Sequence, residues 1–305
     1  MNKILITGGA GYIGSYLVRQ LIELKFDITV VDNLMFDQNV DFLKNKKNLN
    51  FIKGDVRDKK LIKDYINKND IIIPLAGIVG APLSEKMPKE TKEINEDAIK
   101  YLSSICSKDH LIIMPVSNSG YGIGQKDKFC DENSPLKPIS LYGRTKVAAE
   151  KIIMDRENSI SFRLATVFGV SKDRMRIDLM VNNFTYLAFK KKKFKLYQPD
   201  FRRNFIHISD IAKAFIFSIK NFKKLKSNIF NLGLNNANIT KLMLCKKIKE
   251  LIPDFDFEIS HDQKDPDQRD YFVSNKKIND KGFEAKYSLE QGIKELIKYY
   301  KIINI

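Results

Sequence analysis

The feature that most constrains this chain lies at residues 4–15, where the apolar run Ile4-Leu5-Ile6 breaks into Thr7-Gly8-Gly9-Ala10-Gly11-Tyr12-Ile13-Gly14-Ser15. Such a run reads as a strand buried on both faces, and the glycines turn it sharply into a helix. Gly8 can take the turn, Gly11 leaves room for a pyrophosphate against the backbone, and Gly14 lets the helix pack closely on the strand. The helix, from about Tyr12 to Lys25, aims its free N–H groups and positive dipole end at the phosphates. Its apolar stripe is Ile13, Leu17, Leu21 and Ile22. A second apolar run, Ile28 to Val31, ends in Asp32-Asn33. A carboxylate placed there accepts hydrogen bonds from an adenosine ribose and repels a 2′-phosphate. No Arg follows Asp32 closely, so NAD is favoured over NADP.

Strand and helix signals keep alternating, which predicts an α/β fold with a parallel sheet covered on both faces. The strand Leu49 to Ile52 leads into Lys53-Gly54-Asp55-Val56. Two readings of that turn stand side by side: Asp55 takes an adenine amino group while Val56 flanks the ring, or the turn caps the helix that starts near Asp58. The run Ile71 to Gly77 ends in Leu75-Ala76-Gly77, small enough for a cofactor to lie across the carboxyl end of the strand. A helix from about Lys89 to Cys106 carries Asn95. The strand Leu111 to Val116 delivers Ser117-Asn118-Ser119 to the same edge.

After a loop with Pro135 and Pro138, a helix opens at Leu141-Tyr142-Gly143-Arg144-Thr145-Lys146 and runs to about Asp155. Tyr142 and Lys146 stand at i and i+4, on one helix face. A phenol is a poor base near neutrality, and a nearby ammonium lowers its pKa. The pair can therefore take a proton from an alcohol while a hydride leaves the same carbon. Punctuation is weaker beyond this point. It predicts a helix over Asp178–Lys191, a strand over Phe194–Tyr197, a helix over Ile208–Lys220 and a strand over Ile229–Leu232 that rejoins the main sheet. The remainder, Leu234 to Ile305, is expected to close over the substrate.

The chain has 305 residues, 43% of them apolar, enough for one large α/β domain with a substrate-covering lobe. Its formal net charge is +16, but the lysines are scattered and Lys190–Lys193 is the one tight basic run. As a helix end it reads as a solvated, dipole-compatible terminus, so no nucleic-acid interface is expected. Cys106, Cys130 and Cys245 are unevenly spaced and form no CxxC, which suits a reducing cytoplasm; no metal is expected. Met1 is followed at once by the first strand and no apolar stretch is long enough to span a bilayer, so neither a signal peptide nor a membrane segment is expected.

Taken together, Thr7–Ser15, Asp32, Asp55-Val56, Ser117 in Val-Ser-Asn-Ser-Gly-Tyr-Gly, Tyr142-Gly-Arg-Thr-Lys146 and Arg203-Asn-Phe-Ile-His207-Ile-Ser-Asp210 resemble the extended short-chain dehydrogenase/reductases that act on nucleotide sugars. The resemblance covers the whole chain. It implies a Rossmann-type doubly wound parallel sheet over residues 1–172, with about 206–234 returning to it, and a smaller C-terminal α/β substrate-binding lobe over 173–305. It also implies NAD as cofactor, Tyr142 as base toward a sugar hydroxyl, commonly on C4, Ser117 as its hydrogen-bond partner, and Lys146 at the nicotinamide ribose. Asn95 matches a position near the catalytic Tyr. Arg203 and Arg269 match arginines that grip the substrate pyrophosphate, chemistry suited to a guanidinium fork. His207, among apolar neighbours, is read as structural. A homodimer or higher homo-oligomer through the helices 89–106 and 142–157 is implied as well.

Departures narrow the activity. The related 4,6-dehydratases place an Asp-Glu pair where Asn118-Ser119 stands, and without that acid/base pair dehydration is not expected. The 3,5-epimerase/reductases carry a Cys where Ser119 falls, and galactose-type 4-epimerases carry a Lys where Val79 falls and an Asn where Thr166 falls. Oxidation of a nucleotide-sugar hydroxyl remains, ending in a released keto sugar (dehydrogenase) or in hydride returned to the other face (epimerase). The runs Ala76–Pro82 and Arg174–Asn183 are similar to a bacterial branch serving surface polysaccharides, the GDP-heptose 4-dehydrogenases of capsule biosynthesis. In that stretch Asn182 is the candidate for a further phosphate or sugar contact. The residues leave the nucleotide base open.

Overall fold

The computed structural model describes residues 3–36, 38–124, 128–261 and 268–304. Strand β1 (Lys3–Thr7) enters α1 (Tyr12–Glu23), followed by β2 (Asp27–Asp32), β3 (Leu49–Lys53), α2 (Lys59–Ile66) and β4 (Ile71–Pro74). Helix α1 stops two residues short of the expected end because Lys25 takes a left-handed φ of 59°. Asp58 caps α2 by accepting from Leu61 N at 3.0 Å. The short α3 (Ala81–Lys86) and α4 (Pro88–Lys92) precede a π-helical turn, Glu93–Asp97, and α5 (Ala98–Ile105). The single helix expected over 89–106 is thus broken by a wider turn at Asn95, a device common at functional sites.

Next come β5 (Leu111–Ser117), the two-residue β6 (Phe129–Cys130), α6 (Leu141–Met154), β7 (Ser159–Leu164) and β8 (Thr166–Phe168). The chain continues through α7 (Met180–Lys191), β9 (Lys193–Tyr197), β10 (Arg202–His207), α8 (Ile208–Lys220), α9 (Phe222–Leu225) and β11 (Asn228–Leu232). It finishes with β12 (Asn238–Thr240), α10 (Lys241–Leu251), β13 (Asp256–Ser260), β14 (Phe272–Val273), α11 (Lys276–Asp280) and α12 (Leu289–Ile302).

Seven strands form one all-parallel sheet in the order β11-β7-β5-β4-β1-β2-β3. This is the doubly wound α/β arrangement, and its winding reverses between β1 and β4, where such sheets bind ligands. Side-chain alternation splits the core between the two faces. Ile4, Ile6, Val30, Ile71, Ile73 and Ile113 join one apolar cluster with Leu17 and Leu21 of α1 and Phe215 of α8. Leu5, Val31, Ile72, Ile112 and Met114 join the other with Leu102 of α5 and Ala149 and Ile153 of α6.

The later part builds smaller sheets. Strand β10 lies parallel to β8 and antiparallel to β12, β13 pairs β9, and β14 pairs β6. The expectation that everything after Leu234 closes over the substrate is corrected. Among the described residues of that segment, Arg269 and Tyr271 reach the cavity below, while α12 buries Ile293, Leu296 and Tyr300 against α7 and the main core. An amphipathic helix with an apolar stripe is held where it can bury that stripe.

Candidate active site

A cavity of about 690 Å³ opens at the carboxyl end of the sheet, within the size range of small-molecule and cofactor sites. Its floor is the glycine turn, with Gly8, Gly11, Tyr12, Ile13 and Gly14 in its lining. Gly8 has φ 73°, and a Cβ there would sit 2.5 Å from the Ala76 backbone nitrogen. A Cβ on Gly14 would strike the Gly8 carbonyl. The turn therefore requires glycine at both places. Gly11 is the N-cap residue of α1; no side chain caps the helix and its first turn holds no acidic residue. The opening N–H groups of a 12-residue helix thus face the cavity free of a competing carboxylate.

Asp32 lies at the end of β2, lines the cavity beside Asn33, and is 6% exposed. Burial raises its pKa against the pull of two backbone donors, Leu34 N at 2.9 Å and Ala10 N at 3.0 Å. Val56, Leu75, Ala76 and Gly77 line the wall. Asp55 does not. Its carboxylate is forked by Arg57 at 2.9 Å and receives Asn33 Nδ2 at 3.0 Å, and the Arg57 hydrogen bond holds its pKa down at about 2. The helix cap at this turn belongs to Asp58, while the Asp55 carboxylate pairs with Arg57 and Asn33 next to the cavity-lining Val56.

Ser117, Tyr142 and Lys146 line the cavity together. Ser140 caps α6 by accepting from Gly143 N at 3.1 Å, which fixes where the helix starts and hence where Tyr142 points. Burial raises the Tyr142 pKa, and the Ser117 hydroxyl followed by the Arg269 and Arg176 guanidiniums pull it down. Burial depresses Lys146 to about 8. A Cβ on Gly77 would meet Lys146 Nζ at 3.4 Å, which places the Lys146 side chain beside the strand edge at Gly77.

The remaining predicted residues lie behind the wall. Asn95 is fully buried, accepting from Ile78 N at 2.9 Å and donating to Ile78 O at 2.8 Å, so it braces the Gly77-Ile78 backbone without reaching the cavity. Ser119 is buried and donates to Ser117 Oγ at 2.8 Å, orienting the hydroxyl that does line the site. Asn118 is buried too, with no hydrogen-bond partner for its amide among the described residues. Asn182, expected at the substrate, accepts from Gly169 N at 3.0 Å and donates to Arg176 O at 2.9 Å, while its neighbour Asn183 lines the cavity. A helix turns 100° per residue, and α7 presents Asn183 instead. Arg203, expected at a pyrophosphate, is fully buried and donates to the carbonyls of Arg202 and Arg269. It lies beneath the rim and props Arg269, which does line the cavity. His207 is buried, stacked on Tyr287 with ring centroids 3.8 Å apart and paired to Glu295 at 2.8 Å, in a packing role.

Sequence reasoning missed Arg176, Asp178, Asn183 and Tyr271, all in the lining. The available signal was two opposite charges two residues apart, just ahead of an amphipathic helix. Among the described residues no group of three or more His, Cys, Asp or Glu could hold a metal, and no helix is long and apolar enough to cross a membrane.

Known proteins match this architecture. Bovine dTDP-D-glucose 4,6-dehydratase is 26% identical over 98% of this chain and 89% of its own. A putative UDP-glucose 4-epimerase of Methanocaldococcus jannaschii is 28% identical over 98% of both chains. The solved structure of the UDP-glucuronic acid 4-epimerase from Bacillus cereus, in complex with UDP-glucuronic acid and NAD, superposes with a TM-score of 0.86 over 99% of each chain at 20% identity. The family model described as "NAD dependent epimerase/dehydratase family" matches residues 4–233. With the glycine turn, Asp32 and the Ser117–Tyr142–Lys146 constellation on a doubly wound sheet, the chain belongs to the NAD-dependent epimerase/dehydratase family, enzymes of sugar nucleotides.

Proposed function

We propose that this enzyme oxidises the C4 hydroxyl of a GDP-heptose or a related nucleotide sugar, giving a 4-keto sugar for surface-polysaccharide biosynthesis. The observation that carries the reading is that Ser117, Tyr142 and Lys146 share one cavity with the glycine turn and Asp32, while Asn118 and Ser119 follow Ser117 where dehydration would need carboxyl groups. The cavity suits NAD: the uncapped start of α1 would hold the pyrophosphate, Asp32 the adenosine ribose, and Lys146 the nicotinamide ribose. NAD, when bound, supplies the hydride acceptor. Ser117 would orient the sugar hydroxyl, and Tyr142, its phenolate favoured by the Ser117 hydrogen bond and the Arg269 and Arg176 charges against the cost of burial, would take the hydroxyl proton as the C–H hydride leaves. Arg269, in the cavity lining, would grip the sugar-nucleotide diphosphate with its guanidinium fork. The heptose and the guanine rest on the similarity of residues 76–82 and 174–183 to that branch.

A second reading, a 4-epimerase, is favoured by the M. jannaschii relative, which aligns over 98% of both chains. A homodimer through the helices 89–106 and 142–157 belongs to either reading, and a monomeric mass at micromolar concentration overturns it. Purified protein incubated with GDP-, UDP- and dTDP-sugars, GDP-heptose included, is followed at 340 nm. We expect a rise that stops at one equivalent of bound cofactor, with a 4-keto product from GDP-heptose. Interconversion of two sugars with no net rise identifies the epimerase, and no response across the panel overturns the catalytic reading. Tyr142→Phe should lower turnover by about 10²–10⁴-fold while retaining NAD; near-normal turnover refutes the role of Tyr142.

A further inference from the structure

Ser117 and Tyr142 reach the cavity from different elements. Tyr142 and Lys146 stand on α6, while Ser117 ends β5 and opens a short turn over Asn118–Tyr121. The Ser117 hydroxyl is close enough to Tyr142 to draw its pKa down, so the spacing of the two matters to the chemistry. Arg163 of β7 lies opposite Val116, one residue before Ser117, in the parallel ladder between β7 and β5. Its side chain shares the sheet face on which Val116 packs against Ala149 and Ile153 of α6. There the guanidinium divides its donors. Nη2 and Nε go to Glu150, four residues after Lys146 on the same helix face, at 2.7 and 3.0 Å. Nη1 goes to the Tyr121 hydroxyl, the last residue of the turn, at 3.0 Å, and to the Glu132 carbonyl at 3.1 Å. Tyr121 is 1% exposed, and its hydroxyl gives its one proton to Asp131 O at 2.8 Å or Asn231 Oδ1 at 2.7 Å. The phenol is thus held on both its accepting and its donating side.

We propose that Arg163, acting through Tyr121 on one side and Glu150 on the other, is a positioning residue that sets the spacing between Ser117 and Tyr142. This inference rests on the reading of the cavity as the site of a nucleotide-sugar enzyme, and it adds to that site a residue that touches neither sugar nor cofactor. A guanidinium is planar and its donors lie in a fixed fork, so groups bonded to different nitrogens are held at a set separation. The Glu150 and Arg163 side chains are each 5% exposed, and Tyr121 is buried as well, so little water is at hand to replace a lost bond. Charge balance in the core needs only the Arg163–Glu150 pair; the further bond to Tyr121 ties the turn to the helix. Without it the turn keeps the edge-on contact of Tyr121 with Tyr271, ring centroids 5.9 Å apart, but loses the polar anchor that fixes its register. A shift of about 1 Å between reacting groups can cost on the order of 10²-fold in rate.

The test is Tyr121→Phe, which deletes the hydroxyl and keeps the ring; Arg163 Nη1 retains the Glu132 carbonyl, so no charge is stranded. Turnover of the sugar nucleotide on which wild type acts is measured on NAD-loaded protein for wild type, Tyr121→Phe, Ser117→Ala and the double variant Tyr121→Phe/Ser117→Ala. Tyr121→Phe should lower kcat by about tenfold or more, with KM and retained NAD unchanged. In the Ser117→Ala background the same change should cost less than about twofold, because its effect passes through Ser117. Arg163→Lys, which keeps a cation on Glu150 and loses the fork, is the second variant and should show the same pattern. Phe230→Leu, a core change on the strand that carries Asn231, is the control for loosened packing: it should lower the melting temperature without lowering kcat. Unchanged kcat in both Tyr121→Phe and Arg163→Lys overturns the inference. So does a kcat loss that recurs in full in the Ser117→Ala background, or one matched by Phe230→Leu at an equal loss of melting temperature, since either makes the role merely structural. If wild type acts on no sugar nucleotide, the proposed function fails first, and the positioning role with it.

Discussion

Lys146 shows how far a single residue can be read before its surroundings are known. Its type and its spacing from Tyr142 are visible in the sequence, and both residues do line one cavity. Its electrostatic state is not visible, because that depends on burial, which brings its pKa down to about 8. The consequence has a definite sign. An unfolded lysine titrates near 10.4, so between about pH 8 and 10 the unfolded chain holds the proton more often than the folded one, and this residue adds stability as pH rises. Below pH 8 both states are charged, and the cost of the buried ammonium is at its full value, on the order of 3 kcal/mol. Lys146→Met should therefore be more stable than wild type at pH 7.5, and the advantage should shrink by pH 10. Urea midpoints at the two pH values measure it; a difference that does not change with pH would show that Lys146 does not titrate in this window. The same limit explains Asn182 and Arg203. Both have residue types suited to an anion, and both lie in matching stretches, yet the turn of α7 and the position of β10 point them into the protein. Arg176 and Asp178 were passed over because only the fold brings their loop to the cavity.

At the scale of elements, the long parallel strands and the helices between them were legible because each needs a continuous apolar run or a 3.6-residue stripe. Strands β6 and β14 were not, since two residues carry no periodicity and the pair forms only when distant segments meet. The sequence likewise gives no sign of what holds α6, the helix of Tyr142 and Lys146, in register with the sheet. Glu150 on α6 is buried and receives Arg163 of β7 through a guanidinium nitrogen at 2.7 Å and Nε at 3.0 Å, with Ser161 Oγ also at 3.0 Å. Arg163 reaches on to the Tyr121 hydroxyl at 3.0 Å, just beyond Ser117. Removing one partner of such a pair leaves a charge buried without compensation, whereas removing both is far milder. Glu150→Gln should cost about 3–5 kcal/mol, and Glu150→Leu/Arg163→Met should recover much of that loss in denaturant unfolding. A double variant as unstable as the single one would mean that the pair itself, and not the stranded guanidinium, supports the helix.

Across the whole molecule, the cavity lies between the sheet edge and the segment that follows β8, and α1 is joined to that segment by Ser15 and Ser171, whose hydroxyls lie 2.9 Å apart, and by the Arg19 fork on Asp173. Tyr12, in the first turn of α1, donates to Gly169 O at 2.7 Å. Asn182 accepts from Gly169 N and donates to Arg176 O, and Tyr300 of α12 donates to the Asn182 carbonyl at 2.9 Å. One buried amide therefore ties α7 to the loop that carries the Arg176–Asp178 pair, and Gly169 links that loop to the phosphate end of the site. Losing it leaves Gly169 N and Arg176 O with unmet polar groups, at about 1–3 kcal/mol each. Asn182→Ala should lower the melting temperature by several degrees. If the amide positions both halves of the cavity, the variant should also weaken NAD and sugar nucleotide together, whereas Tyr142→Phe should weaken neither. A variant that melts early but binds both ligands normally would confine Asn182 to stability and detach the phosphate end from the sugar end.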